Sequence, residues 1–403
     1  MTGSSSSELM EFVLDRAADA PLDPPSAYSL LREERPITRV SLWEGRAQPW
    51  LVTRWEDCRA VLDSPSFTVN PDLGAPWSLS EGVKQGSRGY FSMHDDPVHS
   101  LIRRILSPEF LVKRINALRP SIELKVDEIL TSMAEQTGPV DFVRQVSLPL
   151  PSLVTCDLLG VPYENHEFFQ QLADVMMDVN GNGESLAEAR RTLGAFMKKQ
   201  IAAKLLEPGD DLLTRVGEKV SEGVVTADEA GDMCSFLLFA GHETTANMIS
   251  LSVVALLQHP DQIPLLFGEP AAVANAVEEL LRYLTIAHIG VQRAAIEDVT
   301  IGGTTIRAGE GVIVAIHVAD RDPAIFEDPD RLDLERANAR RHLAFSYGIH
   351  VCLGAPLARA ELQIVLPEIF RRFPNLRIAV PAEDVAFKRQ SKAYGVRELP
   401  VTW

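Results

Sequence analysis

A mainly α fold with a small β lobe is predicted from three features. Helical periodicity runs through long stretches, β-forming segments are short and clustered toward the two ends, and 403 residues exceed what one small core needs. The strand signals fall at residues 37–43, 50–55, 299–306, 311–316 and 376–380. Glu44-Gly45 joins the first two as a hairpin, and Gly302-Gly303 turns the third, because glycine supplies the positive φ of tight turns. The chain is expected to form a single domain, residues 1–403, whose β lobe comes from about 37–55, 299–316 and 376–403. No internal repeat is visible.

Residues 70–90 mix glycine, proline and serine with Trp77 and Leu79 and read as a loop, and Asn180, Gly181, Asn182 and Gly183 interrupt two helical runs. Thr226 followed by Glu229 is a capping box, in which hydroxyl and carboxylate each satisfy a free amide, worth on the order of 1 kcal/mol. The helix it opens runs to about His259, where Pro260 stops it, and its middle is apolar almost all round, as in a buried helix. Inside that apolar setting Ala240, Gly241, His242, Glu243, Thr244 and Thr245 form a polar insertion whose groups need partners. Two readings stay open. Either the helix kinks at Gly241 and Thr244 bonds the carbonyl one turn back, or the backbone opens to hold a small ligand beside an acid and an alcohol that deliver protons.

Phe345, Gly348, His350, Cys352, Gly354, Pro356 and Ala358 form a spaced signature. Gly348 and Gly354 allow positive φ or close approach of backbone to a flat ligand. A helix opens after them with Pro356 in its first turn, so Cys352 precedes a helix N-terminus, where free amides and the dipole favour an anion and lower a thiol's pKa. A thiolate so placed suits a metal, haem iron included, whereas an isolated cysteine is more often a small buried hydrophobe.

The formal charge of −17 argues against nucleic acid, which such a surface repels. Cys58, Cys156, Cys234 and Cys352 are far apart and form no CxxC pair, as in a reducing compartment. Residues 1–12 are polar, with no basic or apolar leader, and no apolar run reaches membrane-spanning length, so a cytoplasmic, unanchored protein is expected.

Residues 345–358 resemble the haem-binding loop of the cytochromes P450, with Ser346 where many relatives carry glycine, and the 240–245 block is similar to that family's oxygen-activation motif. The resemblance covers nearly the whole chain and implies an actinomycete-type, class I bacterial P450 monooxygenase with the P450 fold. It implies haem b (iron protoporphyrin IX) held between the helix of Thr244 and the loop of Cys352, the iron ligand. Thr244 would orient water and dioxygen while Glu243 feeds protons, and Ala240, Gly241, Phe345, Gly348, His350, Gly354 and Ala358 would complete the cofactor site. Glu279 and Arg282, three apart on a helix, read alone as an ordinary surface pair; by resemblance they join Arg336 in a buried network behind the cysteine loop. His99 and Arg103, on a helix opened by Pro97, would join Arg293 and His342 in holding two propionates, to which arginine's fork of donors is suited.

Further implications concern partners. Electrons would come from a ferredoxin and its reductase, with an acidic ferredoxin docking on Arg340, Arg341 and Arg359 by complementary charge. The expected substrate, taken with O2 by a monomer that binds neither nucleic acid nor membrane, is a hydrophobic small molecule of macrolide, polyene, terpenoid, sterol-like or xenobiotic type. Trp77, Met176, Leu238, Ile286, His288, Ile289 and Tyr394 are the candidate substrate pocket, covered by residues 70–90 and 180–183. A nitric-oxide-reductase type is disfavoured by Glu243 and a peroxide-driven type by Thr244. A non-catalytic haem-thiolate binding protein would need neither residue.

Overall fold

Ile37–Arg39 pairs antiparallel with Trp50–Val52, Ile37 opposite Val52, as β-branched and aromatic residues flanking a turn favour. This hairpin is seen in a computed structural model that describes residues 9–42, 45–76, 86–181 and 183–403. Trp43 and Glu44 of its connection, Trp77 and Leu79 of the first loop, and Asn182 lie outside the described residues. Trp50–Val52 runs parallel to Gly311–Val314, which pairs antiparallel with Val291–Ala295, and Phe67–Thr68 closes that edge of a five-stranded sheet. Val291–Ala295 is an element the sequence reading passed over: Gln292, Arg293 and two alanines carry no strand propensity, and burial within the sheet overrides that. Trp55 and Ile316, expected to end strands, instead begin the helices Trp55–Asp63 and Ile316–Ala319.

Val299–Ile301 and Thr304–Ile306 form the expected hairpin, turning at Gly302 and Gly303, both with positive φ. At the C-terminus Pro400–Thr402 lies between Val140–Asp141 and Arg377–Ile378, while Ala386–Phe387 pairs with Val396–Glu398.

The helical body is built around Ala227–Gln258, 32 residues and about 48 Å long. Its capping box forms: Glu229 N donates to Thr226 Oγ1 at 3.2 Å, and Thr226 N donates to Glu229 Oε2 at 2.8 Å. Pro149–Leu159, Gly183–Leu206 and Ala355–Arg372 pack against it, Val112–Ala134 packs against the last of these, and Leu130, Leu251, Val253, Leu362 and Val365 are fully buried in the shared core. Among the described residues no helix is long and apolar enough to cross a membrane.

Candidate active site

The cysteine loop precedes the helix Ala355–Arg372 and is pinned by Cys352 N donating to Phe345 O at 2.9 Å. Its two glycines serve different ends. Gly348 has φ +72°, and a Cβ there would lie 2.6 Å from the carbonyl oxygen of Leu62, so both conformation and packing demand glycine. Gly354 has φ −79°, and a Cβ there would meet no described protein atom within 4 Å. Among the described residues nothing packs against glycine at 354, and the position faces open space. Ser346 takes φ +64°, and among the described residues its buried hydroxyl has no partner.

Cys352 opens onto an internal cavity of two chambers, about 430 and 270 Å³, which share Thr244, Thr245, Phe345, Ser346, Cys352 and Ala358. Burial raises its thiol pKa, opposed by the amides of Gly354 and Ala355 and by Arg103 and Arg359. The lowering expected from the helix terminus is therefore present but outweighed, because the sulfur sits among apolar walls that favour the neutral thiol.

The smaller chamber gathers donors. His99, Arg103, Arg293 and His350 all line it. The Arg293 Nη1 donates to Gln292 O at 2.8 Å, but its buried Nη2 has no partner among the described residues, and burial lowers this guanidinium to about 10. His99 stands 4.1 Å from the His350 ring, and burial first, then His350 and Arg103, lower it to about 4. The His350 Nε2 lies 3.8 Å from Asp95 Oδ1, beyond hydrogen-bond reach. Glu361 also lines this chamber, fully buried with neither carboxyl oxygen partnered among the described residues, and burial pushes its pKa well up.

Along the long helix, Thr244 Oγ1 donates to Ala240 O at 2.6 Å and the helix stays continuous. A Cβ at Gly241 would lie 2.7 Å from Thr155 Oγ1, so this glycine also lets the neighbouring helix approach. Glu243 is buried and turns from the cavity: its Oε1 pairs with Lys388 Nζ, and Lys388 also donates to Asn247 Oδ1 at 3.0 Å.

Behind the loop, Glu279 accepts from Arg282 at 2.7 and 2.8 Å, from Arg336 Nε at 3.1 Å to both oxygens, and from Asp333 N at 3.0 Å. Glu279 and Arg282 are fully buried, so burial removes the surface-pair reading.

Comparison with known proteins settles the family. A model described as Cytochrome P450 matches residues 272–385. The chain is 44% identical over 391 residues to "Cytochrome P450-SU2" of Streptomyces griseolus, covering 96% of each. It is 45% identical over 405 residues to "Pentalenic acid synthase" of Streptomyces avermitilis, covering 100% of this chain and 99% of that one. The structure of CYP105P1 in complex with filipin I superposes with a TM-score of 0.91 at 40% identity, over 98% of this chain and 99% of that one. The chain belongs to the cytochrome P450 family.

It is a bacterial, actinomycete-type P450 monooxygenase with the mainly α P450 fold, and haem is its cofactor. The residues present fit that group. The open face at Gly354 leaves space for a porphyrin, and the unpartnered Arg293 Nη2 with Arg103, His99 and His350 provides donors for two carboxylates.

Several expected site residues lie elsewhere in this P450. His342 does not face either chamber: its Nε2 is 3.0 Å from Glu278 Oε2 and its Nδ1 accepts from Ala344 N at 3.1 Å, so both nitrogens are committed to the loop's own support. His288 is buried outside the cavity, with Leu14 O at 2.8 Å and Ser391 O at 3.2 Å, and acts as a structural tie. Tyr394 is fully buried, stacked on Phe387 under Arg16, and Leu238 is core. Met176, Ile286 and Ile289 do line the larger chamber. Arg359, assigned to docking, is held bidentately by Glu278 at 2.7 and 2.9 Å and lies over the Phe345 ring.

Glu278, Lys388 and Glu361 were missed. The adjacent pair Glu278-Glu279 was a usable signal, since consecutive acids in a buried helix require two sets of cations. Lys388 gave none, standing 145 positions from Glu243.

Proposed function

We propose that this P450 takes electrons from a ferredoxin and its reductase and inserts one oxygen atom of O2 into a hydrophobic small molecule of macrolide, polyene, terpenoid, sterol-like or xenobiotic type, by hydroxylation or epoxidation. One observation carries the reading: Cys352 and Thr244 line both chambers, while the next residue, Glu243, is paired on the far side with the half-buried Lys388. An alcohol at the reaction space and an acid behind it make a relay.

Cys352 would bind the iron through sulfur, and His99, Arg103, Arg293 and His350 would hold the propionates. When bound, haem supplies the reductive activation of dioxygen and the transfer of one oxygen atom. Thr244 gives its own proton to Ala240 O, so its oxygen lone pairs accept from a water in the cavity and fix that water's orientation. Glu243 moves protons inward from its carboxyl oxygens, and reaching Thr244 requires it to swing away from Lys388. Phe236, Phe239, Met248 and Ile286 exclude bulk water and bury an apolar substrate.

The electron donor would approach the cysteine side, where Ile349 and Val351 are exposed beside Cys352 and Arg340 and Arg341 are solvent-facing, Arg341 over the Trp55 ring. Reconstitution with ferredoxin, reductase and NADPH against a library of apolar compounds tests the proposal. Thr244→Ala should keep consuming NADPH while product falls and peroxide rises. Unchanged coupling in that variant would overturn the relay.

A further inference from the structure

The larger chamber is mostly apolar, with scattered hydroxyl and amide groups such as Ser92, Thr245 and Gln292. Two cations line it, Arg190 from the helix Gly183–Leu206 and Lys392 from the C-terminal loop, and none of the described lining residues is a carboxylate. In a chain of net charge −17 this is the reverse of what chance provides.

Neither cation forms a direct ion pair among the described residues, although Asp232 acts on Arg190 and Asp178 on Lys392 through charge at longer range. Among the described residues Arg190 has no hydrogen-bond or ion-pair partner, and its guanidinium lies 4.8 Å from the centre of the Tyr90 ring. Lys392 Nζ donates once, to Met176 O at 2.8 Å, leaving two donors. Those acids hold neutral donors rather than the cations themselves: Asp232 accepts from Ser87 Oγ, and Asp178 from Asn180 N at 2.9 Å. Burial lowers the pKa of both cations, Arg190 further lowers Lys392 to about 8, and both remain charged at neutral pH. Two like charges held together in an apolar wall oppose each other until an anion joins them.

Resting on the monooxygenase reading, we infer that the substrate is an apolar molecule bearing a carboxylate, which Arg190 and Lys392 hold while the hydrocarbon body fills the chamber toward Thr244 and Cys352. Arg190 offers a planar fork that matches two carboxylate oxygens, and Lys392 a point charge with free donors. In this inference the carboxylate is an anchor, held by elements other than those that carry Cys352 and Thr244.

The test uses the haem-loaded protein and matched pairs: dodecanoate with methyl dodecanoate, and abietate with methyl abietate. Binding is read from the ferric spin-state spectrum and, independently, by calorimetry. At least one acid should bind roughly tenfold more tightly than its ester, the scale of a charge-assisted pair. In the double variant R190Q/K392Q the acid should lose about tenfold more affinity than the ester, and R190K should recover part of the preference. Equal affinity of acid and ester in every pair, or parallel losses in the double variant, overturns the inference. Absence of the thiolate-type ferrous carbonyl band would instead overturn the monooxygenase reading beneath it.

Discussion

Replacing Glu279 with alanine removes the one carboxylate between two buried guanidiniums. Arg282 would keep Asp320 O at 2.8 Å and Pro329 O at 2.9 Å, and Arg336 would keep Asp328 O at 3.1 Å and Arg331 O at 2.9 Å. Their hydrogen bonds therefore survive in part, and the loss is mainly the uncompensated charge of two cations now facing each other. Breaking a buried pair costs about 3–5 kcal/mol, and the surviving carbonyl bonds place this case near the lower bound. A denaturant titration should show that loss, with roughly 3–5 °C off the unfolding midpoint and less haem per protein, because the network supports the cysteine loop from behind. R336M leaves Glu279 and Arg282 as a neutral pair and should cost less. The double variant E279A/R336M should be more stable than the sum of the single losses by about 0.5–3 kcal/mol, since it removes one of the stranded cations. Strict additivity, or an E279A protein as stable and as fully loaded as the parent, would refute a network held by charge.

Three further outcomes follow from the geometry. Burial raises the pKa of Glu278, but its bonds to His342 and Arg359 outweigh this and hold it at about 2; its stabilisation is therefore present above the unfolded value near 4.5 and lost as pH falls from there toward 2. E278Q should flatten the acid-unfolding curve in that window, and an unchanged curve would remove Glu278 from the loop's support. Gly348→Ala should destabilise the fold by about 1–3 kcal/mol whether or not haem is bound, whereas Gly354→Val should leave the apoprotein's unfolding midpoint intact and abolish haem uptake; the reverse pattern in a haem titration would contradict the roles assigned to the two glycines. Lys388→Met should leave ligand-induced spectral shifts in place but lower the product formed per NADPH and raise peroxide, and full coupling would show that the Glu243 partner is immaterial.

What could be read from the sequence divides along physical lines. The long helix was legible because its start is encoded within four residues and its burial by an apolar surface on every side, and the cysteine loop because glycine, proline and cysteine act locally. The Val291–Ala295 strand was not, since its place inside the sheet, between Phe67–Thr68 and Gly311–Val314, is fixed by partners outside its own segment. The errors at His288 and His342 share a cause: a polar residue in an apolar context was assigned to a ligand when backbone carbonyls and a neighbouring acid were already its partners. Trp77 lies outside the described residues. Arg190 and Lys392 carried no motif at all, because two cations become a feature only when the fold sets them on one wall with no acid between them.

The two ends of the cavity therefore obey different rules. Around Cys352 every support is directional: Glu278 and Glu279 fix four cationic or imidazole groups, carbonyls saturate the guanidiniums, and Gly348 has no room to vary. That rigidity suits a cofactor of constant shape. Around the larger chamber Met93, Met176, Met177 and Met248 supply unbranched, polarisable walls that refill as the ligand changes. A wall that adapts to any hydrocarbon cannot choose among them, so selectivity must come from the few groups that do not adapt. Arg190 and Lys392 are those groups, and their charge makes the orientation of the substrate, more than its outline, the quantity this P450 controls.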